Sequence, residues 1–470
     1  MSRRRDLLLL CLFGIAVSAI AAVGIGIRAT YGAQTTADEP QYLLSALSLW
    51  EDGDLDISDE LAEERFREFH EADLPQQTLI LEDGSRISPH DPLLPLLLAV
   101  PMGLGGWVAA KAALAILGGL LAALTVWTAR HRLGVSTPTA YLTTGVFAIA
   151  PPLVVHSTQV YPEIVAALLL LAGFSALIGP FGRSGRVVMA VAVIALPWMA
   201  VKYVPVAAVL AVAGLVKATR RERLWLLAVF ASATVAYFAG HLLIFDGLTA
   251  YAVGDHFTGG EFTAVGTEID LWGRSTRLIG LLVDRGFGLA AWQPAFVLLP
   301  LAAGWALARR QDHKVMTALW LLVTGWLVAT FAALTMHGWW FPGRQVVVVL
   351  PIAVLLLASW ADAARKRRGA VVPLGLLGVV AYGFLVMEGL RRQLTLVVDF
   401  GATVNPFYRS LAAVLPDYMT GDSISWALHG VWVGAALALS WLGWRNASLE
   451  NVTGSISAIN EQRNRERALT

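Results

Sequence analysis

The sequence predicts an all-α, polytopic membrane protein with about twelve transmembrane helices. Three observations lead to this fold class. First, 57% of the 470 residues are hydrophobic and only 15% are charged, and the mean hydropathy is +0.63, well above that of soluble globular proteins. Second, apolar runs of roughly 20 residues, the length that crosses the hydrocarbon core, recur along the chain. Third, short basic clusters separate alternate runs, which is typical of cytoplasmic loops.

The first apolar run, residues 7–29, follows the basic cluster Arg3–Arg5. Because no small-residue cleavage site follows this run cleanly, it predicts a retained helix entered from the cytoplasm. Its Cys11 is the only cysteine, which excludes an intrachain disulfide and a thiolate metal site. Further spans are predicted at 107–129, 138–156, 161–179, 222–245, 288–308, 315–335, 345–361, 370–388 and 426–444.

The stretch 187–216 lies between two basic clusters that both favour the cytoplasm. Its middle contains Pro197, Lys202 and Pro205, so it predicts two short helices that rise and return, a broken hairpin tolerated where protein or water lines it. Counting this hairpin as two spans places both termini and six basic groups in the cytoplasm. Residues 1–445 then form one integral membrane domain, and residues 446–470 form a polar cytoplasmic tail.

Residues 30–106 are predicted to form a long external loop. Between Asp38 and Asp91 it contains sixteen acidic and three basic residues. The segment Tyr42–Trp50 has apolar residues at helical spacing, which predicts an interfacial helix. The segment PHDPLLPLLLAVP is apolar but too short to cross the membrane, so we expect it to dip into the surface. The predominance of arginine over lysine is typical of GC-rich bacteria and favours a bacterial plasma (inner) membrane.

Asp38 and Glu39 form an acidic pair shortly after the first span, on the predicted external side. A carboxylate in this position can accept the proton of an attacking hydroxyl, and such general-base catalysis contributes roughly 10² to 10⁴ in rate. A helix cap or a solvated turn is the alternative explanation of the same pair.

Further candidates lie on the same predicted face, where ionisable groups at membrane depth are costly and often functional. Each also has an ordinary explanation, as an aromatic belt, a snorkelling lysine or a structural ion pair. The candidates are His90, Tyr161, Glu163, Lys202, His337, Trp340 and Arg344.

A calcium loop is a weaker possibility in the acidic segment. Asp52, Asp54, Asp56 and Glu63 match positions 1, 3, 5 and 12 of such a loop, but Ile57 stands where the sharp turn requires glycine. A solvated acidic loop is therefore favoured, and no metal site is assigned from the sequence.

The residues resemble those of the GT-C glycosyltransferases, in patches through most of the chain. The likeness is to the branch that includes protein O-mannosyltransferases and lipid A aminoarabinose transferases. Asp38-Glu39-Pro40-Gln41-Tyr42 resembles the D-E-x-x-Y motif of that family. His90-Asp91-Pro92-Leu93 resembles its H-P-P-L motif, with a departure at Asp91, and Ala200–Pro205 resembles its hairpin lysine motif. The segments Asp284–Pro300 and Trp339–Pro351 resemble those of uncharacterised bacterial members.

This resemblance implies inverting transfer of a sugar from a polyprenyl-phosphate donor to an acceptor hydroxyl at the outer face. It implies Asp38 as general base, Glu39 as a supporting or acceptor-orienting acid, and Lys202, Arg344 and His337 as ligands of the donor phosphate. The substrate pocket would contain Tyr42, His90, Tyr161, Glu163 and Trp340. A divalent cation is a possible cofactor, because the oligosaccharyltransferase branch uses one. The acceptor is a glycan, a lipid or a protein, and nucleic acid is not expected as a partner.

The main competing interpretation is a polytopic transporter or lipid flippase. Such a protein would have ionisable residues near the middle of its spans and repeat symmetry, whereas the charges here cluster at the predicted outer ends. A ligase that joins preassembled glycans and a structural membrane scaffold are also compatible with a chain of this composition.

Overall fold

The computed structural model describes residues 3–74, 77–81, 83–250, 270–333 and 335–468. Helices dominate these residues, and the only strands among them are the antiparallel pair β1 (Leu79–Ile80) and β2 (Arg86–Ile87). Residues 251–269, between the predicted spans 222–245 and 288–308, lie outside the described ranges. The predicted all-α fold class is confirmed.

The described residues of the first half of the chain form ten α-helices, which include the predicted hairpin. They are α1 (Arg3–Ala22), α2 (Glu39–Glu51), α3 (Ser58–Ala62), α4 (Leu93–His131), α5 (Thr137–Ala148), α6 (Leu153–His156), α7 (Glu163–Leu177), α8 (Arg183–Met199), α9 (Val204–Lys217) and α10 (Arg220–Phe245).

The described residues from 270 onward form nine further α-helices. They are α11 (Leu271–Ser275), α12 (Arg277–Val283), α13 (Leu289–Trp292), α14 (Leu299–Ala308), α15 (His313–Leu327), α16 (Leu350–Asp362), α17 (Arg365–Leu390), α18 (Pro406–Ala412) and α19 (Ser423–Ala468). Short 3₁₀ segments join several of them, notably Val201–Tyr203, Pro294–Leu298 and Arg344–Val349.

Seven helices in the described part of the chain are long and apolar enough to cross a membrane. Two shorter apolar helices, Glu163–Leu177 and Pro294–Ala308, coincide with the predicted spans 161–179 and 288–308. The count of twelve spans stays a prediction. The last helix continues without a break from Ser423 to Ala468. The predicted boundary between the membrane domain and the tail, at residue 446, therefore lies inside this helix.

The apolar segment after His90 forms the first part of α4. This helix is interrupted at Gly105 and Gly106, and Gly106 has a φ of +62°, a left-handed conformation that glycine adopts without steric cost. The break separates the short proline-containing part from the long apolar part. The latter begins where the sequence predicts the span 107–129.

The predicted broken hairpin is present as α8 and α9, which pack against each other. Pro197 lies inside α8, Pro205 lies in the first turn of α9, and the 3₁₀ turn Val201–Tyr203 joins the two helices. Pro205 is favourable there because the first helical turn needs no backbone donor. Lys202 therefore lies at the tip of the hairpin, as the sequence predicts.

Basic residues in several of the short segments between helices contact neighbouring segments at the ends of the helices. Arg130 pairs with Asp6 near the start of α1. Lys314 donates from Nζ to the Arg132 carbonyl oxygen at 2.8 Å, and Lys217 donates to the Gly179 carbonyl oxygen at 3.0 Å. These contacts agree with a common membrane face for the start of α1 and for the segments that follow α4, α7, α9 and α14, whereas the assignment of that face to the cytoplasm stays a prediction.

The predicted interfacial helix is α2, and it packs against α4. Its first ten residues, Glu39 to Ser48, are all buried, and Trp50 near its end is 44% exposed. This helix is thus enclosed by protein over most of its length. Its buried start fixes the position of the acidic pair.

Candidate active site

Asp38 lies in the segment that joins α1 to α2, immediately before the first residue of α2. The preceding residue, Ala37, has a φ of +48°, which is uncommon for a residue with a Cβ atom and often marks a functional position. The Glu39 amide donates to the Thr36 carbonyl oxygen at 3.0 Å, and the Tyr42 amide donates to the Asp38 carbonyl oxygen at 3.2 Å. This tight turn and the first turn of α2 together hold the Asp38 backbone.

The Asp38 side chain belongs to a network of two carboxylates and two cations, here called the Arg344 network. Arg344 donates from Nη2 to Asp38 Oδ2 at 2.7 Å and from Nε to Glu163 Oε1 at 3.1 Å. Lys202 donates from Nζ to the same Glu163 oxygen at 2.8 Å. Four residues from distant parts of the sequence thus form one continuous chain of charges.

Two aromatic rings flank the Arg344 guanidinium. Its Cζ atom lies 3.7 Å from the centre of the Tyr161 ring and 5.0 Å from the centre of the Trp340 ring. The Tyr161 hydroxyl donates to the Thr36 carbonyl oxygen at 3.1 Å. Cation–π contacts of this kind hold a guanidinium plane in place, so the direction in which Arg344 presents its donors is fixed.

His90 and Tyr42 lie on the other side of Asp38. His90 Nε2 is 3.9 Å from Asp38 Oδ1, and the His90 and Tyr42 rings stack with their centres 4.7 Å apart. The residue after His90, Asp91, contacts His241 of α10 at 2.8 Å between Oδ1 and Nε2. The departure from the family motif at Asp91 thus supplies a buried contact between the segment before α4 and the long apolar helix α10.

The members of the Arg344 network differ in their access to solvent. The Asp38 side chain is 23% exposed and the Lys202 side chain is 28% exposed. The Arg344 side chain is 7% exposed and that of Glu163 is 1% exposed. A carboxylate and an ammonium group are therefore accessible at the two ends of the network, and a buried arginine–glutamate pair joins them.

The pKa of Asp38 lies below its ordinary value of 3.8. Burial alone would raise this pKa, but the positive charge of Arg344, the His90 ring and the hydrogen bond from Arg344 together outweigh that effect. Asp38 is consequently ionised at neutral pH and can accept a proton.

Glu39 points away from the network and is held by the protein backbone. Its Oε1 accepts from the Thr36 amide at 3.2 Å, and its Oε2 accepts from the Val160 amide at 2.8 Å. Burial raises the pKa of Glu39, while the charge of Lys111 and these hydrogen bonds oppose the rise. Both oxygens are thus engaged in joining the start of α2 to the segment before α7.

His337 lies apart from the other predicted site residues. Its Nε2 is 3.4 Å from Asp284 Oδ2, and its ring packs edge-on against Phe287. Among the described residues, no ion pair joins it to the Arg344 network. The other nine predicted residues form that network, contact it, or adjoin it in sequence.

Two buried polar residues near the site were missed by sequence reasoning. Lys111 lies in the long apolar part of α4 and donates from Nζ to the Gln34 carbonyl oxygen at 2.6 Å. His156 is 1% exposed, and Glu163 and Arg344 act on it electrostatically. A single lysine inside an apolar span is a recognisable indication of a functional or structural role. No comparable pattern surrounds His156.

No protein-family model matches the sequence, and no curated protein sequence matches it. Solved structures do match. ArnT from Cupriavidus metallidurans bound to undecaprenyl phosphate has a TM-score of 0.51 at 15% identity, with 95% of this chain and 78% of that chain covered. Its apo state gives a TM-score of 0.51 at 14% identity with the same coverage. The apo oligosaccharyltransferase of Archaeoglobus fulgidus gives 0.39 at 11% identity, covering 93% and 56% of the two chains.

The similarity to ArnT extends over almost the whole chain, so it describes the complete helical arrangement and not one motif. ArnT is a lipid A aminoarabinose transferase of the GT-C superfamily. At this level of identity the likeness concerns the fold. The chain therefore has the GT-C fold, as its sequence motifs predict.

Proposed function

We propose that this protein transfers a sugar from a polyprenyl-phosphate donor to an acceptor hydroxyl at the outer face of a bacterial plasma membrane, with inversion at the anomeric carbon. The observation that carries the proposal is the Arg344 network. It holds an accessible carboxylate, Asp38, and an accessible ammonium group, Lys202, on one continuous chain of hydrogen bonds. These are the two charges that transfer from a phosphate donor to a hydroxyl requires.

Asp38 is the proposed general base. The acceptor hydroxyl loses its proton to Asp38 while its oxygen forms a bond to the anomeric carbon of the sugar. The bond between that carbon and the phosphate oxygen breaks, and its electron pair leaves with polyprenyl phosphate. Attack from the face opposite the leaving group inverts the anomeric configuration. The ionised state of Asp38 at neutral pH supports this role.

Lys202 and Arg344 are the proposed ligands of the donor phosphate. The leaving phosphate gains negative charge in the transition state, and fixed cations stabilise that charge. Glu163 holds both cations through one carboxylate oxygen, so they are positioned before the donor arrives. An arginine with several donors in a rigid plane can engage the phosphate while it keeps its bond to Glu163.

Apolar surface adjoins the cationic end of the network. A pocket beside Lys202 is lined by Tyr203, Val206, Val328 and Val348. A polyprenyl chain requires an apolar path next to the group that binds its phosphate, and these residues would form the start of such a path. The solved ArnT structure with undecaprenyl phosphate has the same fold, which supports a donor of this class.

Glu39 and His337 have secondary roles in this proposal. Glu39 is a positioning residue for Asp38, because the protein backbone uses both of its oxygens. His337, whose ring contacts Asp284 and Phe287, would contact the donor phosphate only after a change of side-chain position.

The proposal is tested with proteoliposomes that contain the purified protein, a polyprenyl-phosphate donor with a radiolabelled sugar, and extracts of cell envelope as acceptor. We expect label to pass from the lipid to an acceptor with wild type and not with Asp38→Asn, and the new linkage to have the inverted configuration. If labelled donor is moved across the bilayer without cleavage of the sugar–phosphate bond, the protein is a flippase and the proposal fails.

A further inference from the structure

Three carboxylates lie close together between the end of α2 and the first turn of α3, and none of them belongs to the Arg344 network. Asp52 directly follows α2, and Asp59 and Glu60 lie in the first turn of α3. One oxygen atom of each carboxylate lies within 4.8 Å of the corresponding atoms of the other two. Like charges at this separation repel one another unless a proton or a cation lies between them.

Glu60 is the distinctive member of this group. It is 2% exposed, and neither of its carboxylate oxygens has a hydrogen-bond partner among the described residues. A buried carboxylate without a partner carries a large desolvation cost, so such groups are normally paired, protonated or bound to a metal. Because Glu60 is directed toward Asp52 and Asp59, its unused oxygens indicate a ligand at the point where the three groups meet.

Basic side chains of the same loop do not neutralise the trio. Arg65 pairs with Glu51 at 3.0 Å and with Glu63 at 3.8 Å. Within the described ranges no lysine or arginine forms an ion pair with Asp52, Asp59 or Glu60. The repulsion among these three carboxylates is therefore relieved either by a proton that they share or by a cation from outside the described part of the protein.

The chemistry of the three groups selects the kind of ion. Carboxylate oxygens are the preferred ligands of hard cations such as Ca²⁺, which takes six to eight oxygen ligands and accepts irregular geometry. Asp52 and Asp59 are exposed, so water can complete the shell and the ion can enter from solvent. Softer ions such as Cu(I) favour thiolate ligands, and the cluster contains none.

We propose that Asp52, Asp59 and Glu60 bind one calcium-class divalent cation that holds α3 against the end of α2. The set differs from the calcium-loop pattern of the sequence. In that pattern Asp54 would be a ligand, whereas its Oδ1 accepts from the Ser48 hydroxyl at 3.1 Å and from the Asp56 amide at 3.0 Å.

The cation has a structural consequence for the opposite end of α2. This single helix runs from Glu39, next to Asp38, to Glu51, next to Asp52. A cation at its C-terminal end fixes the external loop to a helix whose N-terminal end holds the proposed base. Extracellular calcium sites bind with Kd values of roughly 0.1 to 1 mM, so the site would be filled in calcium-containing media.

Terbium luminescence in the purified full-length protein tests the site without any transfer assay. Tb³⁺ replaces calcium, and tryptophans such as Trp50, two residues before Asp52, sensitise its emission. We expect saturable emission that Ca²⁺ displaces and K⁺ does not. Glu60→Gln should weaken terbium binding about tenfold or more, and so should Asp59→Asn, which replaces an exposed residue. Loss of a residue that only contacts a metal ligand already lowers metal affinity about tenfold.

The matched control is Asp73→Asn, which removes another acid of the same loop. Asp73 pairs with Arg67 and its side chain is 99% exposed, so this variant should bind terbium like wild type. Equal binding by wild type, Glu60→Gln and Asp59→Asn would overturn the proposal, because the signal would then come from general attraction to an acidic surface. Absence of saturable emission from wild type would also overturn it and would indicate a shared proton instead.

Discussion

Replacement of Asp38 by asparagine separates catalysis from stability at the Arg344 network. Asparagine keeps an oxygen that can accept from Arg344, and the buried Glu163 contact to Arg344 at 3.1 Å is unchanged. Because the Asp38 side chain is 23% exposed, we expect a loss in unfolding free energy of only about 1 to 2 kcal/mol. The transfer rate should fall about 10² to 10⁴-fold, since the amide cannot accept the proton, which is roughly 3 to 5 kcal/mol in activation free energy.

The assay measures transfer of labelled sugar per folded molecule, with the folded fraction taken from thermal unfolding in detergent. Asp399→Asn is the matched control. Asp399 is a carboxylate outside the Arg344 network, and it accepts from the Thr395 amide at 2.6 Å and from the Thr395 hydroxyl at 2.7 Å. We expect this control to lose stability and keep its rate within about twofold. A rate for Asp38→Asn within about twofold of wild type would refute Asp38 as base.

Three further results are expected. Lys202→Met should raise the KM for the polyprenyl-phosphate donor about tenfold, whereas Lys202→Arg should have a KM near that of wild type, because only the methionine variant loses a charged hydrogen bond to the phosphate. Equal KM values for the two variants would contradict Lys202 as a ligand of the donor phosphate. Asp91→Asn should lower the unfolding free energy by about 1 to 3 kcal/mol in thermal unfolding, because it weakens the buried contact to His241; an unchanged midpoint would count against it. In pH–rate profiles the acidic limb of kcat/KM should lie at lower pH than the acidic limb of kcat. Coincident limbs would contradict the proposal that Asp38 and the donor phosphate compete for Arg344.

Much of the fold follows from the sequence because membrane physics leaves few choices. The lengths of the apolar runs and the positions of the basic clusters predict a hairpin with its tip at Lys202 and a long span that starts at residue 107. In the structure α8 and α9 form that hairpin, and the break at Gly105–Gly106 precedes the long part of α4. The extent of the spans was less predictable. Helices α5 and α7 are shorter than the predicted runs 138–156 and 161–179, since buried, non-helical backbone is allowed where neighbouring protein satisfies it.

The sequence could predict that most of the candidate residues lie near one another, but it could not predict which of them contact each other. The sequence groups acidic, basic and aromatic residues at the predicted outer ends of the spans, but a hydropathy pattern does not give the distances between their side chains. The sequence therefore could not indicate that Glu163 bonds to both Lys202 and Arg344. Nor could it indicate that Glu39, adjacent to Asp38, turns toward the Val160 amide, since neighbouring residues of a helix start point in different directions.

Asp38 has two roles in this proposal, and they oppose each other in the free protein. As the counter-ion of Arg344 it has a pKa below 3.8, which keeps it ionised and makes it a weak base. Its contribution to folding stability is thus present above its unfolded-state pKa and is lost as the pH falls through the folded-state pKa. A donor phosphate that binds Arg344 competes with Asp38 for that guanidinium. The Asp38 pKa should then rise, and the carboxylate becomes a stronger base only when a donor is bound. This coupling explains why the limb of kcat, which reports the bound enzyme, should lie at higher pH than that of kcat/KM.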